Sequence, residues 1–158
     1  MNLWSFSLQV YGKPGVGEAC VALQDGFGLD VNLLLYCCWH GKACRRLDEA
    51  GLRRAMAAVE SWQREVVQPL RAVRRRLKSG VPPITAGECQ ALRRKVNDLE
   101  LEGERIAQAT LEALPMPPPG RRPTVESNLQ LYLRLKGRDP TKAPELATLA
   151  EACTEGVK

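Results

Sequence analysis

The chain has little of the chemistry from which most catalytic sites are built. It contains one histidine, His40, among 158 residues. A serine or cysteine nucleophile paired with a histidine base would have to use His40, and the nearby Cys37 and Cys44 come with no acidic residue to orient its ring. This scarcity argues against nucleophilic catalysis. The sequence is therefore interpreted as that of a non-enzymatic protein that needs no cofactor.

Long hydrophobic runs are also missing. The longest, residues 33–39, is far shorter than the ~20 residues that a membrane-spanning helix needs. The first fifteen residues lack the basic segment followed by an apolar stretch that marks a secretory signal. We expect a cytoplasmic protein that makes no contact with a membrane. Its six cysteines are then expected to be reduced thiols rather than a disulfide framework.

A phosphate-binding loop is absent despite a glycine-rich stretch. Residues 12–19 read GKPGVGEA, but a phosphate-binding loop has a lysine and then a serine or threonine directly after its last glycine. Glu18 and Ala19 occupy those positions, and the Glu18 carboxylate would repel a phosphate. The stretch predicts a turn between two helices and excludes a nucleotide site of this kind.

What the sequence does contain is helical periodicity. Asp30 is a good N-cap, and the residues after it, VNLLLYCCW, are apolar on every side of a helix. Such a helix lies in the middle of a domain, and Gly41 is expected to end it. Residues 3–11 fit either a strand or a helix by spacing alone.

A long helical hairpin is predicted next. Apolar residues recur every three or four positions over residues 48–78, with Pro69 expected to kink the helix. The second arm begins after Thr85, and Gly103 in its apolar stripe suggests a close helix crossing. We predict an all-α bundle of about six or seven helices, in which the kinked hairpin packs on three short N-terminal helices around the buried central helix. Residues 1–114 would form the core, 115–123 a proline-rich connector, and 124–158 loosely packed C-terminal helices of the same domain.

Two groups of residues resemble a known family. The first is Trp4, Tyr11, residues 14–16, 23–25 and 30–35, Trp39 and Gly41; the second is Trp62, Val66 and residues 69–71. Together they resemble a family of small proteobacterial proteins of about this length that is catalogued as a conserved domain of unknown function. The resemblance implies a helix over residues 4–11. It implies no activity and no catalytic residues.

Asn32 is the candidate site residue in the central helix, because a buried amide needs hydrogen-bond partners. One interpretation is a structural lock, in which Asn32 ties the loop at residues 24–28 to the helix. The other is a small pocket lined by Asn32 and by the side chains four and seven positions on. Asp25 and Asp30 are interpreted as helix caps. The candidate residues for lock or pocket are Gln24, Asp25, Asp30, Asn32, Tyr36 and Trp39.

A metal site is a further alternative at the end of this helix. Cys37, His40 and Cys44 share one helical face, and Cys20 or Cys89 could supply a fourth ligand. Their spacing matches no common zinc motif, and buried cysteines with a polar histidine at the helix end explain the same residues. We predict no metal here.

Positive charge is concentrated in one segment. Residues 45–95 contain 13 basic and 5 acidic residues, whereas the whole chain carries a net charge of +5. We predict a basic patch at the hairpin and a protein that binds another macromolecule, most simply an acidic protein. RNA or ribosome binding is the alternative, and a metal or small ligand a more distant one. The patch comprises Arg71, Arg74, Arg75, Lys78, Arg93, Arg94 and Lys95.

Overall fold

A computed structural model describes residues 1–154 of the chain. All regular secondary structure in that range is helical, with no β-strand. The α4 and α5 helices are joined end to end by a π-helical turn, Gln63–Val67, so the described chain forms seven continuous helical rods. This confirms the predicted all-α fold. The helices are α1 (Leu3–Tyr11), α2 (Val16–Phe27), α3 (Val31–Lys42), α4 (Glu49–Trp62), α5 (Gln68–Lys78), α6 (Ala86–Glu112), α7 (Val125–Leu135) and α8 (Glu145–Thr154).

The α3 helix is the buried centre of the bundle, as predicted. Every residue from 32 to 38 is buried, and the Asp30 carboxylate accepts a hydrogen bond of 2.8 Å from the Asn32 backbone N–H. The helix continues past Gly41, so the prediction that this glycine ends it is wrong. A Cβ on Gly41 would lie 2.9 Å from the Thr124 carbonyl carbon. The glycine therefore allows the chain that enters α7 to cross α3 closely.

A kink at Pro69 was predicted for the first arm of the hairpin, and the structure has a π-helical turn, Gln63–Val67, just before that proline. Pro69 has no N–H to donate, and its ring crowds the preceding turn. The wider π turn immediately before it, in which the Gln68 N–H bonds to the Gln63 carbonyl, accommodates both effects. The close crossing predicted at Gly103 is confirmed. A Cβ there would lie 3.2 Å from Val67 Cγ2, and the Trp62 indole N–H donates to the Gly103 carbonyl at 2.9 Å.

The C-terminal helices are not loosely packed, and that part of the prediction is wrong. Helix α7 lies along α3, and its Leu129, Tyr132 and Leu133 side chains are at most 1% exposed. The Asn128 amide donates to the Cys37 carbonyl at 3.2 Å and accepts from the Leu47 N–H at 3.0 Å. Because α3 is apolar all round, a single layer of helices cannot cover it, and α7 supplies the other side. Residues 155–158 of the predicted segment lie outside the described residues.

The proline-rich connector joins α6 to α7 without helical structure, as its composition suggested. Hydrogen bonds tie it to the end of α3, because the Gly120 N–H donates to the Cys44 carbonyl at 2.7 Å and the Arg45 guanidinium donates to the Pro117 carbonyl. Within residues 1–154, no helix combines the length and the apolar character that crossing a lipid bilayer requires.

Candidate functional site

Helix α6 brings three polar side chains into the interior of the bundle. Glu100, Glu104 and Gln108 are four residues apart and so lie on one face, alongside the buried Gly103 and Ala107. Glu100 and Gln108 are buried, and Glu104 is partly buried. Buried polar groups of this kind must be hydrogen-bonded, and their partners define a site.

Asn32 is the partner of α6 at the centre of the bundle. Its amide N–H donates to a Glu104 oxygen, and its amide oxygen accepts from Gln108 at 2.9 Å. Gln108 in turn accepts a 2.9 Å bond from the Ser7 hydroxyl on α1. Asn32 therefore fastens α3 to α6 and not to the loop at residues 24–28, so the predicted partner is wrong. Gln24 instead donates to Asp25 at 3.5 Å.

Two arginines of the predicted basic patch, both on α5, bind the carboxylates of α6. Arg71 donates to Glu100 at 3.1 Å and to Glu104 at 2.7 Å, and Arg74 donates through two nitrogens to Glu100. The Arg71 and Arg74 side chains are 16% and 23% exposed. Burial alone would raise the pKa of Glu100, but the hydrogen bonds from the two arginines outweigh it and hold that pKa below its ordinary value.

The predicted basic patch is therefore divided. Arg71 and Arg74 are neutralised inside the protein and do not form an exposed face, which corrects the prediction. Arg93 is half-buried, and its Nε has no hydrogen-bond partner within residues 1–154. The remaining cations are exposed, and of these Arg75 lies 3.4 Å from the Asp25 carboxylate. The exposed members are Arg75, Lys78, Arg94 and Lys95.

The π turn adds the last member of this interior polar cluster. Gln63 is buried, and its amide N–H donates to Glu104 at 3.2 Å. The turn changes the direction of successive side chains, so that Gln63 faces α6 next to Gly103. The interior polar cluster comprises Ser7, Asn32, Gln63, Arg71, Arg74, Glu100, Glu104 and Gln108.

An open cleft of about 510 Å³ adjoins this cluster. It lies where the end of α2 and the start of α3 meet α4, the π turn and α7. Polar groups in its wall include Asp30, Gln63, Arg71 and Lys136, and apolar side chains of α3 and α4 form another part of the wall. Two members of the polar cluster, Gln63 and Arg71, therefore reach this interhelical cleft.

Asp30 is a titratable group of the cleft wall whose pKa is strongly altered. Burial, and then the nearby negative charge of Glu104, raise the pKa of Asp30 to about 7, although the hydrogen bond from the Asn32 backbone and the charge of Arg71 oppose the shift. The Asp30 backbone N–H donates to the Tyr132 hydroxyl at 2.9 Å. The carboxyl group thus combines its role as helix cap with a protonation change near neutral pH.

The other predicted site residues are divided between different surroundings. Gln24 and Asp30 line the interhelical cleft, whereas Tyr36 and Trp39 do not. The Tyr36 ring packs edge-on against His40 with 4.4 Å between centroids, and the Trp39 indole N–H donates to the Met1 carbonyl at 3.2 Å. Asp25 lies within α2 rather than capping it, because Gly28 in the left-handed conformation ends that helix.

His40 is buried at the end of α3 among aromatic rings. Neither ring nitrogen has a hydrogen-bond partner among the residues described, and burial, assisted by the charge of Arg45, lowers its pKa to about 4. Cys37 is also fully buried. In the part of the chain that the structure describes, no three histidine, cysteine or acidic side chains come close enough together to hold a metal ion.

Sequence reasoning missed most of the interior polar cluster. Ser7, Gln63, Glu100, Glu104 and Gln108 were not among the predicted site residues. A signal was present for the last three, because their four-residue spacing puts them on one helical face beside the apolar stripe of α6. No comparable local signal marks Gln63, whose direction depends on the π turn.

Comparison with known proteins gives one finding. A search of curated proteins and a search of solved structures found no significant match. A family model matches residues 2–111, from α1 to the last turn of α6, which contain the whole interior polar cluster and leave α7 and α8 outside. The match does not address the proteobacterial origin that the resemblance implied, which stays a prediction. The family is described as "Protein of unknown function (DUF2390)", and because the match covers well over half of the chain, the protein belongs to it.

Proposed function

We propose that this is a non-enzymatic, cytoplasmic protein that binds another protein through the end of its helical hairpin. The binding surface is the hairpin arm, residues 68–99, which contains α5 and the first half of α6, and it continues along α6 as far as Ile106. The partner that fits it is an acidic, amphipathic helical segment.

The single observation that carries the proposal is a stripe of exposed leucine and isoleucine along α6. Leu92, Leu99 and Ile106 follow one another at seven-residue spacing, so they share one face of the helix. Their exposed fractions are 51%, 58% and 37%, and Val73 of α5 is also exposed. Large apolar side chains at this spacing are typical of a helix that packs against a second helix.

The packing of the arm leaves this face exposed to solvent. Helix α5 packs mainly on α6, and their shared apolar core is a small cluster of Leu77, Cys89 and Val96, separate from the main core of the bundle. A pair of helices with so small a core leaves much of its apolar surface uncovered. That surface is available to a partner helix.

Charge favours an acidic partner over a second copy of this chain. Residues 68–99 contain eight basic and two acidic residues; Arg71 and Arg74 pair with Glu100 and Glu104 in the interior, so six basic residues remain against two acidic ones. Lys95 lies three residues after Leu92 and four before Leu99, and Arg76 lies three after Val73, so cations border the apolar stripe. Two copies facing each other would bring like charges together. The arm has no aromatic residue on which a nucleic-acid base could stack, which favours a protein over RNA.

The experiment that tests the proposal is a capture from native lysate with paired variants. Leu99→Asp places a charge in the stripe, and Leu101→Asp places the same charge on the opposite face of α6, where Leu101 is 51% exposed. We expect wild type and Leu101→Asp to retain the same protein after nuclease treatment, and Leu99→Asp to lose it. The captured protein should contain an acidic amphipathic helix, and high salt should weaken the complex.

Other outcomes would contradict the proposal. Material that disappears with nuclease would make the arm an RNA-binding surface. Capture that survives Leu99→Asp as well as it survives Leu101→Asp would show that the stripe is not the binding surface.

A further inference from the structure

We propose that the interhelical cleft binds a small organic anion, a carboxylate or a phosphate attached to an apolar body. This inference is independent of the hairpin arm and of its partner. It rests on the size of the cleft, the donors that face it and the apolar surface beside them.

The dimensions suit a small molecule. A volume of about 510 Å³ lies within the range of ~300–1,000 Å³ that is usual for small-ligand sites. The cleft is open to solvent on one side, so a ligand can enter without a change in the fold. Its wall includes the N-terminus of α3, the π turn and part of α7.

Two cations in the wall still have donors to offer. Arg71 uses Nε and Nη2 on Glu100 and Glu104, which leaves its second terminal nitrogen, Nη1, without a partner among the residues described. Lys136, at the end of α7, forms no ion pair within the same range. By contrast, Arg53 and Arg64 in the same wall are already paired with Glu49 and Glu65.

The balance of charge favours an anion. The cleft is lined by four cations, Arg53, Arg64, Arg71 and Lys136, and by two acidic groups, Asp30 and Glu60. Glu60 lies 4.0 Å from Arg64, and Asp30 is bound through one oxygen to the Asn32 backbone. Arg71 is already paired with Glu100 and Glu104, whereas Lys136 has no ion-pair partner within the described residues. A carboxylate or phosphate that reaches Lys136 would therefore meet an unpaired charge, and Arg71 Nη1 can donate a further hydrogen bond to it.

The rest of the wall offers apolar surface to the hydrocarbon part of such a ligand. Leu33, Met56 and Val59 line the cleft beside the polar cluster. Among the residues that the structure describes, the Gln63 amide bonds only through its nitrogen, to Glu104, so its oxygen can accept from a ligand N–H or O–H. An anion with a ring or a short hydrocarbon chain would use both surfaces at once.

Three probes with the same ring and different charge test the inference directly. Benzoate, benzamide and benzylamine are titrated into ¹⁵N-labelled full-length protein, and the backbone amide shifts of Gln63, Gln68 and Lys136 are followed. We expect saturable shifts with benzoate and at least about fivefold weaker binding of benzamide and benzylamine. Only benzoate carries the negative charge that pairs with Lys136 and accepts from Arg71 Nη1. Equal binding of benzamide, or no saturable shift with benzoate at millimolar concentrations, would overturn the inference.

A pair of variants on α7 keeps the test independent of folding. Lys136→Glu reverses an exposed charge at the cleft, and Arg134→Glu makes the same reversal at an exposed position on the same helix that lines a different groove. Benzoate affinity should fall by about fivefold or more in Lys136→Glu and stay unchanged in Arg134→Glu. Equal affinities in the two variants would overturn the inference. The Leu99→Asp variant of the hairpin arm should bind benzoate like wild type, which separates this site from the proposed protein-binding surface.

Discussion

The body of the bundle buries its leucines and pairs its charged side chains, whereas the hairpin arm exposes both kinds of side chain to solvent. In the body, the leucines of α3 and Leu129 and Leu133 of α7 are buried, and where the arm meets the body Arg71 and Arg74 are paired with Glu100 and Glu104. Towards the tip of the arm, Leu92 and Leu99 are exposed, and Arg75, Arg94 and Lys95 face solvent. The body uses its apolar groups and charges for its own stability, whereas the arm leaves both available. This contrast is the physical basis for placing binding at the arm.

The largest effect should come from the packing of α7 in the body. Leu129→Ala removes a fully buried side chain from the contact between α7 and α3. We expect a loss of about 3 kcal/mol in the free energy of unfolding, measured by urea denaturation. The matched change in the arm, Leu99→Ala, should cost less than about 0.5 kcal/mol because Leu99 is exposed. Similar losses in both variants would contradict the distinction between body and arm.

The second comparison uses two arginines of the same basic segment. Arg71→Ala leaves Glu104 and part of Glu100 without their cation in the interior, and we expect it to destabilise the fold by about 2 kcal/mol. Arg94→Ala removes an exposed charge and should change stability by less than about 0.5 kcal/mol. Chemical denaturation of the two purified variants compares them. An Arg71→Ala protein as stable as Arg94→Ala would mean that the ion pairs contribute nothing to the fold.

Asn32 should show a smaller but specific loss. Asn32→Ala leaves the Gln108 amide N–H and one Glu104 oxygen without their α3 partner, at a cost of about 1.5 kcal/mol. Asn97→Ala, at an exposed position on α6, is the matched control and should be close to neutral. Thermal unfolding of both variants distinguishes them. If Asn32→Ala unfolds at the same temperature as wild type, the amide does not fasten α3 to α6.

A separate comparison concerns the pH dependence of stability. The folded protein raises the pKa of Asp30 to about 7 from its ordinary 3.8, so between these values the folded state holds a proton that the unfolded state has released. The contribution of Asp30 to stability is therefore present below pH ~4 and is lost as pH rises towards 7. Asp30→Asn keeps a capping side chain and removes the titration.

The measurement is the stability of Asp30→Asn relative to wild type at several pH values. The variant should gain on wild type steadily between pH ~4 and pH ~7 and then hold a constant difference. Taking the difference cancels the opposite contribution of His40, whose pKa is lowered to about 4 and whose burial destabilises the fold as pH falls below 6.5. A difference that does not change with pH would show that Asp30 titrates normally.

Local features of the fold were predictable from the sequence. The cap at Asp30, the disruption next to Pro69 and the close crossing at Gly103 each depend on one residue type and its immediate neighbours. Gly41 was misinterpreted because a glycine needed for a close approach and a glycine that ends a helix look alike in sequence. The difference lies in the chain near Thr124, more than eighty residues away.

The polar cluster could be predicted only in part, for the same reason. The basic run at residues 71–78 looks like an exposed patch because the carboxylates that neutralise it, Glu100 and Glu104, are about thirty residues further along the chain. Their pairing depends on how α5 is aligned with α6, and the helical pattern of either element does not specify that alignment. The π turn then turns Gln63 towards the same carboxylates.

The proposal that the arm binds a protein is tested most directly by photo-crosslinking within the intact chain. A benzophenone side chain replaces Leu99 in one variant and Leu101 in another, and the crosslinked products from cells are identified by mass spectrometry. The proposal predicts a crosslink from position 99, but not from position 101, to an acidic amphipathic helix of another protein. Equal yields at both positions, or crosslinks from position 99 to RNA or to a second copy of this chain, would contradict it.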